Sequence, residues 1–397
     1  MPLPPSNPFR PGAGRFPPEL AGRAKLIADF TVGARYAKIN GEYQRPLLLV
    51  GRRGMGKTVL LTDLVAVARN LKLVVVEVEA TTTDPLSVSL ASGLHAALRT
   101  YAGLGGKISS KWKNALSVFR SFQVTVDPTG SYSFGVDVDA AAGFADTGNL
   151  STDLTELLRA VGDAAASTYS AVLIAIDELQ LASEDELNAL NVALHRAGQG
   201  KEPAPLIAIG AGLPSLLPAL ADSTAYAERL WTPEELGPLD APAAAAALTL
   251  PTVNLGVKWT DEAIKLAVVA SRGYPFFLQE FGKAIWDVRT SDLISVEDVE
   301  VGIDRAIIKL DASLYSTRWA RATVAERRFL VAMADDGEGP AAISEIATRM
   351  GKSASTSISR LRASLVGKNL VFTTSRGFVS FTVPGMADYI QLRLLEE

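Results

Sequence analysis

The chain has 397 residues, 48% of them hydrophobic, and a net charge of −4. That is room for two or three domains with sizeable cores, and the slightly acidic balance excludes a global nucleic-acid footprint, so any such site must be a local patch. The absence of cysteine removes disulfides, thiolate nucleophiles and Cys-based metal sites, and with only His95 and His195 a histidine metal cluster or a Ser/His/Asp hydrolase is disfavoured.

Residues 1–17 are rich in proline, lack the apolar core of a signal peptide and read as an extended arm without its own fold. No apolar run reaches the roughly 18 residues of a membrane span; the run over 243–250 is too short and reads as part of a packed helix. The expected location is the cytoplasm.

Taken in order, 47–50 is a buried strand, 58–70 a helix, 73–79 a strand and 86–101 a helix ended by glycines. A further helix is expected over 109–122. In 123–139, apolar and polar residues alternate on both sides of Pro128-Thr129-Gly130, which predicts a hairpin. Helix 153–167, strand 171–176, helix 185–197, strand 206–210 and a fifth strand over 229–236 follow. Strands alternating with helices predict an α/β fold with a parallel, doubly wound sheet. From 241 to about 314 the pattern is helical, with main helices over 260–271, 276–288 and 296–314. Helices over 325–334, 343–349 and 354–366 come next, and 370–373 pairs with 378–383 across Ser375-Arg376-Gly377.

The strongest motif is Gly51-Arg52-Arg53-Gly54-Met55-Gly56-Lys57-Thr58, a match to G-x-x-x-x-G-K-[ST] in the required context, after a buried strand and opening a helix. Glycines let main-chain N–H groups wrap phosphates, helped by the positive end of the helix. Lys57 is expected on the β- and γ-phosphates and Thr58 on magnesium; with Val59 in the first helical turn, these residues form the expected ATP-binding set. The second motif is an apolar strand ending in Asp177-Glu178. Asp177 is expected to bind magnesium and Glu178 to polarise the attacking water. The bland alternative is an acidic helix start that favours the dipole.

Together these motifs resemble the AAA+ class of P-loop ATPases and their STAND relatives, most of all origin-recognition-like prokaryotic ATPases with a C-terminal winged helix. The resemblance runs from about Pro17 to the end. It implies a P-loop core over 18–238 with the 123–139 hairpin inserted, a helical lid over 239–316 and a winged helix-turn-helix domain over 317–397. It implies that the segment ending in Arg23 covers the adenine, and that Pro275, in Gly273-Tyr274-Pro275, packs near the base, with Arg272 beside it as a lid sensor. It also places an arginine finger at Arg229; a surface salt-bridge arginine is the other reading. One departure is plain: strand 206–210 ends in Gly210-Ala211-Gly212-Leu213-Pro214, with no polar sensor residue. Slow hydrolysis and a switch-like role follow from that.

The stretch 343–362 resembles the turn and recognition helix of a winged helix-turn-helix. Ile358, Leu361 and Leu365 recur at helical spacing and face the core. Lys352, Ser353, Ser355, Thr356, Arg360 and Arg362 are left for DNA contact, with Arg376 at the wing tip. Between 344 and 376, six basic residues face only Glu345, a basic patch that the global charge conceals. A protein-docking wing is the alternative. The resulting expectation is an ATP- and Mg2+-dependent ATPase switch that couples nucleotide state to double-stranded DNA binding or self-assembly. The rival is a signalling or defence-type regulator whose wing binds a partner protein and whose nucleotide gates oligomerisation.

Overall fold

The computed structural model describes residues 6–103, 111, 115, 123–126, 132–135, 149–352 and 355–396. The chain divides into two compact units. One comprises Ala24–Val50 and Lys57–Glu235; the other comprises Met1–Arg23, Gly51–Gly56 and Leu236–Glu397.

The first unit runs α1 (Ala24–Asn40), β1 (Leu47–Val50), α2 (Lys57–Asn70), β2 (Val74–Glu79), α3 (Leu86–Gly103), β3 (Gln123–Val126), β4 (Tyr132–Gly135), α4 (Leu150–Ala166), β5 (Val172–Asp177), α5 (Glu184–Ala197), β6 (Leu206–Gly212), α6 (Leu216–Ser223), α7 (Ala227–Leu230) and β7 (Thr232–Glu235). Five strands form one parallel sheet in the order β2-β5-β6-β1-β7. β5 and β6 are continuous apolar runs because helices cover both their faces. β7 is an exposed edge strand, where the missing N–H of Pro233 costs no ladder bond. Since all five strands run the same way, the ends of β1, β5 and β6 share one edge of the sheet.

Several boundaries differ from the sequence reading. The expected fifth strand over 229–236 shortens to β7. Ahead of it, Leu230 and Trp231 donate main-chain hydrogen bonds to Tyr226 and Ala227, which winds Arg229 into α7. β3 and β4 pair antiparallel, with Val124 opposite Phe134; the turn between them and residues 136–139 lie outside the described residues. So does most of the helix expected over 109–122, although Lys111 and Ala115 are helical. α1, whose burial is limited to Ala34 and Ala37, was not anticipated.

In the second unit, α8 (Ala241–Val253), β8 (Lys258–Trp259), α9 (Asp261–Ser271), α10 (Pro275–Val288), β9 (Leu293–Ile294) and α11 (Val296–Leu310) come first. The helix expected over 296–314 changes to a π-helical turn at Asp311–Tyr315. α12 (Ser316–Ala320), α13 (Val324–Ala334), β10 (Ala341–Ala342), α14 (Ile343–Arg349), a 3-10 turn at Ser355–Ile358, α15 (Ser359–Gly367), β11 (Val371–Ser375), β12 (Phe378–Phe381) and α16 (Met386–Glu396) complete it. β11 and β12 form a hairpin to which β10 adds.

The N-terminal arm is anchored along α10. Phe9 is 3% exposed and its ring lies where a side chain on Gly282 would be. Asn7 donates to Lys283 O and to Asp287, and Arg10 N donates to Gln279. No helix among the described residues is long and apolar enough to cross a membrane.

Glu326 ties the C-terminal helices together. It closes the capping box of α13 with Thr323 and accepts from Ser364 and Lys368, each at 2.6 Å. Burial alone raises its carboxyl, but the hydrogen bonds from Lys368, Ser364 and Thr323 outweigh it and hold the group down at about 2, against an ordinary 4.5. A depressed carboxyl contributes stability above its unfolded value and loses it as pH falls toward the folded one. The thermal midpoint of this region should therefore drop between pH about 4.5 and about 2. Glu326→Gln should lower the midpoint at pH 7 and flatten that acid slope in differential scanning calorimetry.

Candidate nucleotide site

The loop after β1 needs main-chain geometry that only glycine adopts readily: Gly54 and Gly56 have φ of 83° and 84°. The loop's carbonyls are held within the second unit. Tyr274 Oη donates to Arg53 O at 3.3 Å, and Phe276 N donates to Gly54 O at 3.2 Å. Burial pushes the Tyr274 hydroxyl well above the usual tyrosine range, so it stays a donor at any physiological pH. Gly273-Tyr274-Pro275 thus grips the loop directly, and Pro275 sits in the first turn of α10. Arg23 donates to Gly237 O at 3.0 Å, which fixes the segment before α1 to the start of this unit. Arg272 pairs with Asp388 of α16 at 2.7 Å.

Arg52 reaches the C-terminal elements. Its two terminal nitrogens each donate to Glu338 O at 3.2 Å, its charge lies 4.0 Å from the Glu338 carboxylate, and its guanidinium lies 5.8 Å from the Phe372 ring centre. Burial raises the Glu338 carboxyl, with the Arg52 charge among the effects that oppose it. The neighbouring Arg318 is lowered by burial and by the positive charges of Arg53 and Arg321. Sequence reading gave Arg52 and Arg53 only a phosphate role. The Glu338 contact spans 286 positions, and no local pattern announces it.

In the first unit, Lys57 opens α2 and is 6% exposed. Thr58 Oγ1 donates to Asp177 Oδ2 at 2.7 Å, joining the start of α2 to the end of β5. Asp177 Oδ1 accepts from Glu178 N at 2.8 Å, and Glu178 turns the chain with φ of 50°. A hydroxyl and a carboxylate in contact are the hard oxygen donors that suit Mg2+, which takes one or two protein oxygens and keeps waters and phosphates as its other ligands. Val59 follows Thr58, partly buried, and Met55 is buried in the loop. Beyond Glu178 the structure adds Gln180, which sequence reading passed over.

Arg229 is elsewhere. It is exposed, with no ion pair among the described residues, beside a hollow of about 500 Å³ that Tyr43, Arg45, His195 and Tyr226 also line. Residues 43–46 and 229–230 precede β1 and β7, so Arg229 lies at the edge of the sheet opposite Asp177.

The basic C-terminal patch is smaller than the sequence count. Arg349 is bidentate to Asp336, at 2.5 and 2.8 Å, and Lys368 is taken by Glu326. Both carboxylates lie outside the counted segment. Lys352, Arg360 and Arg376 are exposed and Arg362 half-buried, with no salt bridge to any of the four among the described residues. Of the three residues expected to face the core, Ile358 and Leu365 are fully buried and Leu361 is half-buried. Ser353 lies outside the described residues; Ser355 and Thr356 open the 3-10 turn before α15.

Residues 19–209 match the family model described as AAA ATPase domain, and residues 312–390 match one described as a domain of unknown function (DUF8462). No curated protein matches the chain. Among solved structures, a Walker-type ATPase of Pyrococcus abyssi is similar over 96% of this chain and 98% of its own, at 15% identity and a TM-score of 0.58. The RuvB Holliday junction branch migration motor of Thermotoga maritima (16% identity, 94% and 95% covered, TM-score 0.45) and the Aeropyrum pernix Orc1 protein in complex with DNA (16%, 96% and 94%, 0.46) are more distant in shape. The first likeness is one of fold. With the AAA ATPase domain match over residues 19–209, the parallel sheet and its surrounding helices fit a P-loop α/β core of the AAA+ type.

If Thr58 and Asp177 share a magnesium ion, Asp177→Ala should weaken binding of a fluorescent ATP analogue about tenfold, roughly 1.4 kcal/mol, in magnesium and little in EDTA. Equal weakening in both would place Asp177 outside the metal's coordination.

Proposed function

We propose that this chain binds and hydrolyses ATP with magnesium, and that nucleotide state is coupled to DNA binding or assembly through a C-terminal winged helix-turn-helix. The observation that carries the hydrolytic reading is the 2.7 Å contact between Thr58 and Asp177, with Glu178 next in the chain. Lys57 and the loop amides hold the phosphates, Thr58 and Asp177 hold the metal, and Glu178 orients water for in-line attack. The metal neutralises charge on the β- and γ-phosphates when bound. Arg23 and Pro275 flank the base.

Coupling rests on Arg52. A phosphate-loop arginine that also grips Glu338 and faces Phe372 cannot be repositioned by nucleotide without altering those contacts. Arg229, remote from its own strand ends, fits a finger that completes a neighbouring copy's site. α14, the 3-10 turn, α15 and the β11–β12 hairpin fit a recognition helix and wing. Lys352, Arg360, Arg362 and Arg376, with Ser353, Ser355 and Thr356, are the DNA-facing set. Phosphate contacts of this kind make affinity fall steeply with salt, whereas a protein-binding wing shows little slope.

The test is fluorescence anisotropy of a labelled duplex at two salt concentrations, in ATP, ADP and no nucleotide, beside an ATPase assay. Salt-sensitive binding that changes with nucleotide is the expected result, and Arg360→Ala or Arg376→Ala should each reduce the salt slope by about one. Absence of duplex binding in every state would end the DNA reading. Absence of ATP binding by the wild type would end the nucleotide reading, and Lys57→Ala with unchanged ATP binding would remove Lys57 from the phosphate site.

A further inference from the structure

β6 ends without a polar side chain of its own, yet a polar group is present there. Gln180, two residues beyond Glu178, folds its carboxamide back across the end of the strand. Its Nε2 donates to Glu178 Oε2 at 2.5 Å, and its Oε1 accepts from Leu213 N at 3.0 Å. Gly212 makes room for it: a Cβ there would stand 2.7 Å from Gln180 Oε1. Leu213 is 4% exposed, so its N–H depends on this acceptor. One side chain therefore links the carboxylate at the end of β5 to the first residue after β6.

We propose that Gln180 is a positioning residue for ATP hydrolysis: it holds the Glu178 carboxylate and couples it to the β6–α6 junction, standing in for the polar residue that β6 lacks. This rests on the ATPase reading above. An amide serves both ends because it offers a donor and an acceptor on one rigid plane. The donor steers the Glu178 carboxylate, and the acceptor reports where the strand end stands. Small misplacements of a general base carry large rate penalties, so the effect belongs in kcat and not in ATP affinity.

The test compares Gln180→Ala and Gln180→Glu in the full chain. The second variant keeps the shape and an acceptor for Leu213 N–H, but it replaces the donor to Glu178 with a second carboxylate. Both should lower kcat about tenfold or more while ATP affinity stays within about twofold. Amide exchange at Leu213 should be slow in the wild type and in Gln180→Glu, and fast in Gln180→Ala. It should also respond to Mg-ATP in the wild type and not in Gln180→Ala. Wild-type kcat in either variant would overturn the proposal. If the wild type binds Mg-ATP without hydrolysing it, the ATPase reading fails separately, and exchange at Leu213 decides: a nucleotide response lost in Gln180→Ala supports the link, and a response that persists there, or is absent from the wild type, overturns it.

Discussion

The 2.7 Å hydrogen bond from Thr58 to Asp177 is the contact on which the rest of the site depends. It requires that α2 start where β5 ends, although β6 stands between β1 and β5 in the sheet. A parallel sheet meets that requirement, because every strand delivers its last residue to the same edge. The buried runs of β5 and β6 hold this edge in place through the apolar cluster that includes Val172, Ile174, Leu206 and Ala208. Polar chemistry is thus confined to the strand ends, where the main chain leaves the core.

The phosphate loop is held in a different way from the strand that leads into it. Tyr274 and Phe276 grip its carbonyls from α10, and Arg52 carries its charge to Glu338. A loop built this way has few independent positions. In the proposed switch, nucleotide acts through those shared bonds: any shift of Arg52 alters the packing of the loop after α13. Burial raises the partly buried Glu338 carboxyl, and the Arg52 charge opposes that shift.

The parts legible in the sequence were those written in local patterns. The phosphate loop, the Asp177-Glu178 strand end and the buried faces of Ile358 and Leu365 all follow from spacing within a few residues. The misreadings have a common cause, which is that they depend on partners distant in the chain. Arg349 and Lys368 counted toward the basic patch, but Asp336 and Glu326, outside the counted segment, pair with them. Residues 229–231 read as strand because nothing local disclosed the helical hydrogen bonds to Tyr226 and Ala227. The arm read as an extended segment without its own fold, and its anchoring through Phe9 against Gly282 has no local signal. Gln180 was passed over because its two partners, Glu178 and Leu213, meet only once β5 and β6 are side by side.

The most direct measurement is amide hydrogen exchange across residues 336–342 in the full chain, with and without Mg-ATP kept intact by Glu178→Gln. If occupancy of the phosphate loop is transmitted through Arg52, protection in this segment changes on nucleotide binding, and the change disappears in Arg52→Ala. Exchange that stays the same at saturating nucleotide would contradict the coupling and leave the chain a P-loop protein whose C-terminal elements do not read its nucleotide.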